Sequence, residues 1–198
     1  MTDKEKTKPR GRPRAFDREK ALDQAQALFH ARGYEGVGVA ALADAMGINP
    51  PSLYAAFDSK AALYDEVLER YATSNPLPVD TLLKPKSNPV SALTALLREA
   101  ARVYALDPQT PGCMVLEGAR GADRQAADLA CNWKGKSRER LRDYLRPTHA
   151  AQAEVVADYM VTMMSGLSAD ARGGHSRTRL AAVADMGGLA IGSMLRSA

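Results

Sequence analysis

The chain has 198 residues, 45% of them hydrophobic, 6% aromatic and 25% charged, with a formal net charge of +4. That length admits one good-sized core or a small module joined to a larger one, and abundant Ala without alternating Val, Ile and Thr favours an all-α fold. Two cysteines, Cys113 and Cys131, and the scattered His30, His149 and His175 make neither a zinc site nor a disulfide scaffold, so no metal and no cofactor is expected.

The positive charge sits at one end. Residues 1–16 carry Lys4, Lys6, Lys8, Arg10, Arg12 and Arg14 against Asp3 and Glu5, while the rest of the chain has as many acids as bases. A cationic arm on a neutral body calls for a polyanionic partner, either nucleic acid or an anionic membrane surface. The charges run directly into Phe16-Asp17-Arg18-Glu19 without the apolar stretch of a secretory signal, and no run of about 18 apolar residues spans a bilayer. The expected location is the cytoplasm, at the nucleoid, with no membrane partner.

In chain order, residues 1–15 lack apolar anchors and contain Pro9, Gly11 and Pro13, which predicts a flexible basic arm. Asp17 is an N-cap, and Ala21, Leu22, Ala25, Leu28 and Phe29 recur at helical spacing until Gly33. Leu42, Ala43 and Met46 mark a second, short helix that Gly47 stops. Asn49 caps a third, with Pro50 and Pro51 at its first positions, where a missing N–H costs little. After Asp58-Ser59 a fourth helix runs through Leu63, Val67 and Tyr71 to about Thr73. Proline-rich 74–88 is the expected boundary, dividing a flexible basic arm (1–15), a first helical domain (16–74) and a larger C-terminal helical domain (75–198). Asn88-Pro89 opens a helix through Leu93, Leu97 and Tyr104. A glycine-rich stretch from Gly112 to Gly121 follows, then a charged helix from about Asp123 to Leu145. Two long helices, about Ala151–Leu167 and Arg177–Arg196, flank Gly173-Gly174.

The segment Val39–Phe57 has the parts of a helix-turn-helix: a two-turn helix, a glycine able to turn left-handed, Ile48 as a plug, and a capped second helix. Leu42, Met46, Leu53 and Phe57 would then pack on the first helix, leaving Pro50, Pro51, Ser52, Tyr54 and Ala55 facing outward. The run from Val39 through Gly47-Ile48-Asn49-Pro50-Pro51-Ser52-Leu53-Tyr54 to Phe57, Ser59, Lys60 and Leu63 closely resembles the N-terminal signature of the TetR/AcrR family of bacterial regulators.

That resemblance covers about a quarter of the chain and implies a ligand-responsive transcriptional regulator, usually a repressor. It implies a homodimer on a pseudo-palindromic double-stranded DNA operator, an unidentified small-molecule effector, and a dimer interface on the last two helices. Carried over by position, Ser52 and Tyr54 match backbone or base contacts, Lys60 a phosphate contact, and Pro50, Pro51, Ala55 and Ala56 base-facing positions; Asn49 opens the same helix. Val39 departs from the pattern, which has Thr or Ser there, and Ala40 stands where some members have a polar reader. Residues 17–74 hold more acids than bases, so affinity must come partly from elsewhere.

Pro9-Arg10-Gly11-Arg12-Pro13-Arg14 resembles an AT-hook, in which Gly permits close approach to the minor-groove floor and guanidinium groups seek its negative potential. The arm reads either as such a minor-groove reader or as a solvated tether. A protein working mainly through it would be an architectural A·T-rich DNA binder, the alternative to a regulator.

Beyond the boundary, Tyr104, Cys113, Met114, Trp133, Tyr159, Met160 and Met163, with Leu116 and Met164, supply adaptable apolar side chains that line an effector cavity or fill a core. Cys113 is a redox candidate or a buried small hydrophobe. On the last helix Ala184, Gly188 and Gly192 recur at four-residue spacing beside Ile191 and Leu195, a small-residue row expected to meet a partner helix in the dimer. No Walker loop, dinucleotide fingerprint, His-Glu-x-x-His or Ser/His/Asp set can be assembled, and no enzymatic activity is expected.

Overall fold

A computed structural model describes residues 16–74, 77–85 and 87–196. The basic arm, with Arg10, Arg12 and Arg14, lies outside these residues. Local chemistry accounts for the first four helices. Helix α1 (Arg18–Arg32) is capped by Asp17, whose carboxylate accepts the Lys20 amide at 3.1 Å, and ends at Gly33. Helix α2 (Val39–Met46) has Gly38 at its N-cap and so no side-chain cap, with Val39 as its first helical residue, and stops at Gly47 in the left-handed region. Asn49 Oδ1 accepts the Ser52 amide at 2.9 Å to open α3 (Pro50–Phe57), and Ser59 Oγ accepts the Ala62 amide at 3.0 Å to open α4 (Lys60–Thr73). Between α3 and α4, Asp58 at φ 60° closes a three-residue turn in which Ser59 N donates to Phe57 O. Leu22, Phe29, Leu42, Leu53, Phe57, Leu63 and Val67 form the shared core, with Met46 and Ile48 packed at its edge.

The remaining described chain is also helical: α5 (Val79–Leu82), α6 (Pro89–Tyr104), α7 (Met114–Gly118), α8 (Arg124–Leu145), α9 (Ala153–Arg172) and α10 (Arg177–Arg196). Helix α6 packs against both α9 and α10, and α8 lies between α9 and α4. Among the described residues there is no strand, and no helix is long and apolar enough to cross a membrane.

Two short helices, α5 and α7, occupy stretches whose prolines and glycines predict loop. In α7, burial of Met114, Val115 and Leu116 supplies what intrinsic propensity does not. Helix α9 runs five residues past Leu167, because Ser168 and Ala171 are themselves buried.

The small-residue row on α10 faces inward, which corrects its assignment to a dimer contact. Ala184, Gly188, Ile191, Gly192 and Leu195 are all buried within one protomer. A Cβ on Gly188 would meet Thr94 of α6 at 2.6 Å, and one on Gly187 would meet Leu97 at 2.8 Å. Glycine is required there for α10 to close on α6, so Gly188→Leu would strike the fold of the protomer, not an interface between copies.

The first four helices are tied to the rest of the molecule by backbone carbonyls at the end of α1. The Arg172 guanidinium donates to His30 O at 3.0 and 3.1 Å, to Ala31 O at 3.2 Å and to Pro111 O at 3.1 Å. His30 Nε2 lies 3.2 Å from Gly112 O, an atom that can only accept, so this nitrogen carries the proton of the neutral ring. Glu35 accepts the Asp123 amide at 2.8 Å, a contact that holds its carboxyl below the usual range. Nearby, Gly118 clears space for Tyr64: a Cβ there would sit 2.2 Å from the phenol oxygen.

Burial pushes the His30 imidazole pKa down, the Gly112 carbonyl opposes this, Arg172 adds to it, and Asp107 and Glu117 oppose it more weakly. A base with a depressed folded pKa takes its proton first in the unfolded chain. Its linkage is therefore silent above about pH 6.5 and destabilises as pH falls from there through the folded value, by at most about 1.4 kcal/mol per pH unit. Urea unfolding between pH 7.5 and 5 should show wild type losing more stability than His30→Gln over that window; parallel losses would assign the acid sensitivity to other groups.

Candidate nucleic-acid interface and effector cavity

Helix α3 presents a continuous outer face. Pro50, Pro51, Ser52, Tyr54 and Ala55 are all exposed, with Tyr54 at 47%, while Leu53 and Phe57 on the opposite side are buried. Alternation at helical spacing, fixed by the Asn49 cap and the Gly47 turn, aims the one face by burying the other. Asn49 is exposed, but its side-chain oxygen is committed to the cap. None of the outward side chains of α3 is charged, so its hydrogen-bonding capacity is the Ser52 and Tyr54 hydroxyls, and Pro and Ala offer apolar edges of the kind that meet thymine methyls.

Lys60 stands apart from this face. It is half-buried, its ammonium lies 3.9 Å above the Tyr34 ring, and burial lowers its pKa while Asp123 and Glu35 pull it back up. Cations of this domain are also engaged with its acids: Arg18 pairs with Glu66 at 2.7 Å, and Arg70 pairs with Glu19 and, at 2.6 Å, with Asp23. These pairs brace α1 against α4.

A cavity of about 350 Å³ opens between α4, α5, α6, α7, α8 and α9. Its floor is apolar and includes Leu96, Leu116, Leu141 and Val161 together with Tyr104 and Cys113. Trp133, Lys134, Ser137, Arg140 and Leu141 supply one wall, one face of α8 at helical spacing. The Tyr104 hydroxyl is fully buried with no partner of hydrogen-bonding geometry; its polar neighbour is the Cys113 thiol, a weak hydrogen-bonding group. Burial drives the Tyr104 phenol far above its ordinary pKa and raises that of Cys113, so both stay protonated. At the rim, Arg140 is ion-paired with Asp80 of α5.

Of the side chains expected at an effector, Tyr104, Cys113 and Trp133 meet at this cavity, as does Met164. Met114, Tyr159, Met160 and Met163 do not line this cavity. Met114 and Met160 are buried in the core, and a Cβ on Gly187 of α10 would meet Met163 at 3.2 Å and Tyr159 at 3.6 Å. These residues seat α9 against α10. The polar rim of Lys134, Ser137 and Arg140 escaped sequence reading, although the apolar spacing of Trp133 and Leu141 on a charged helix marks the same face.

Cys113 donates its backbone N–H to Ser168 Oγ at 2.8 Å, and Ser168 donates onward to Glu117 at 2.5 Å. Cys131 is exposed, and no group of three or more His, Cys, Asp or Glu that could hold a metal exists among the described residues.

The family model for bacterial regulatory proteins of the tetR family matches residues 21–67, which span α1 to most of α4. The HTH-type transcriptional repressor BdcR of Escherichia coli K12 is 43% identical over 195 residues, covering 98% of this chain and 99% of that protein. The transcriptional repressor ComR of the same organism is 30% identical over 188 residues, covering 89% of this chain and 90% of ComR. Among solved structures, a cysteine mutant of the TetR family transcriptional regulator CifR, complexed with 26-bp double-strand operator DNA, superposes with a TM-score of 0.81 at 34% identity over 90% of this chain and 99% of that one. A full-length match to BdcR at this identity, together with the matched helix-turn-helix, means that the chain belongs to the TetR family of bacterial transcriptional regulators.

Proposed function

We propose that this protein is an effector-responsive repressor that binds a pseudo-palindromic operator as a homodimer, in the cytoplasm at the nucleoid, with no catalytic role. The observation that carries the reading is the uncharged, fully outward face of α3, held clear of the core by the Asn49 cap in a chain similar to named repressors over nearly its whole length. Helix α3 enters the major groove with Asn49, Pro50, Pro51, Ser52, Tyr54 and Ala55 against bases and backbone, and Lys60 swings from Tyr34 to a phosphate. Arg10, Arg12 and Arg14 reach the adjacent minor groove. The architectural alternative is set aside, because similarity to the repressors extends across the chain instead of residing in the arm.

The dimer surface we assign is the outer side of α9 and α10. Val155 of α9 and Val183, Met186 and Leu189 of α10 are large apolar side chains left exposed, Met186 at 65% and Leu189 at 68%. A helix pair apolar on both faces is normally buried on both. Met186→Lys should shift sedimentation from dimer to monomer with the helical circular-dichroism signal retained, whereas Gly188→Leu should lower the melting temperature through its clash with Thr94. A Met186→Lys protein that sediments as an unchanged dimer would remove this face from the interface.

DNA recognition divides between a sparse major-groove reader and a cationic arm. Selecting bound fragments from genomic DNA should return one pseudo-palindromic sequence. Removing residues 1–14 should flatten the dependence of log K on log salt by about 0.9 for each phosphate that the arm neutralises. Tyr54→Phe should weaken all sites alike, by about 0.5–1.5 kcal/mol, and leave their ranking unchanged. Arg10→Ala with Arg12→Ala should abolish preference for A·T pairs flanking the core while the core preference survives. An unaltered flank preference in a randomised-flank library would make the arm a nonspecific tether.

A further inference from the structure

The cavity combines three features that together specify a ligand class. Its floor is apolar, so the body of an occupant must be apolar too. Tyr104 lines the floor, and its buried hydroxyl has no partner of hydrogen-bonding geometry, only the weakly bonding Cys113 thiol beside it, an arrangement that an acceptor on an occupant would improve. Since burial keeps that phenol protonated, it presents a donor. At the rim stand Asp80, Arg140 and Lys134. Asp80 and Arg140 neutralise each other across α5 and α8, and Lys134 has no ion-pair partner among the described residues. The rim therefore carries one uncompensated positive charge, and a dianion would face Asp80 as well.

We propose that the effector is a small amphipathic monocarboxylate with a second oxygen in its apolar body, its carboxylate at Lys134 and its second oxygen accepting from the Tyr104 hydroxyl. This rests on the effector-responsive reading above and adds to it the chemistry of the ligand. Trp133 is the single tryptophan of the chain and lines the same cavity, so its fluorescence reports occupancy with no DNA present. A 350 Å³ space falls within the volume range of small-ligand pockets, at its lower end.

The probes are 8-oxononanoate, nonanoate, which lacks the inner oxygen, and methyl 8-oxononanoate, which lacks the charge. Titrated into the full-length protein and followed at Trp133, 8-oxononanoate should bind saturably and about tenfold more tightly than its methyl ester. Lys134→Gln should erase most of that acid-over-ester preference. Tyr104→Phe should reduce the preference for 8-oxononanoate over nonanoate by about tenfold and should not lower the melting temperature, because it deletes an unsatisfied hydroxyl and keeps the ring. Absence of saturable binding by the acid, equal binding of acid and ester, or preferences unchanged in the two variants would overturn the assignment. Operator release is measured separately: probes that bind with the expected selectivity yet leave operator affinity unchanged uphold the ligand class and refute the regulatory reading.

Discussion

The Arg172 guanidinium holds together pieces of backbone that apolar packing alone would leave free to slide. It bonds the carbonyls of His30 and Ala31 at the end of α1 and of Pro111 just before the cavity wall. The last carbonyls of a helix have no partner within it, and a cation there also meets the negative end of the helix dipole. A single side chain of α9 thus closes α1 and fixes residues 111–113 against it. The His30 contact to Gly112 from α1 and the Ser168 contact to Cys113, again from α9, fasten the same three residues. Cys113 is at once a cavity residue and a neighbour of this junction, one residue from Gly112 and two from Pro111.

Buried polar groups show where the molecule is complete and where it waits for something. Ser168, the one fully buried polar side chain among the described core residues, both accepts and donates, and Gly112, at φ 82°, has no Cβ to crowd it. Tyr104 lies in the same region with its ring packed and its hydroxyl beside only the weakly bonding Cys113 thiol. An orphan donor in a packed core would be a defect, whereas on a cavity floor it is a recognition element. The same economy governs the outside, where α3 carries hydroxyls and methyls but no charge and its domain is acidic overall. Such a surface offers hydroxyl hydrogen bonds and apolar edges in place of charge.

Much of this was legible from residue types alone, because helix ends obey local rules. Asp17, Asn49, Ser59, Asn88 and Asp123 each accept the backbone amide three residues on, and Gly47 turns left-handed where only glycine does so cheaply. Those signals, with apolar spacing, placed α1 to α4, α6 and the start of α8, and they set which side of α3 faces out. Wording shared with a known family then supplied a function that spacing could not.

Tertiary structure decided what depends on which surface answers which. Ala184, Gly188 and Gly192 state only that something approaches α10 closely; a row of small residues is the same whether the partner helix belongs to the same chain or to another copy. Contact with Thr94 of α6 settles it for this protomer and moves the exposed apolar face to Val183, Met186 and Leu189. Likewise Met160 and Met163 are indistinguishable from Met164 by composition, and only the direction in which α9 rolls onto α8 and α10 leaves Met164 at the cavity. Helix caps and periodicity are written within a few residues of sequence, whereas the Arg172 junction joins residues 141 and 142 positions apart and exists only once packing has brought them together.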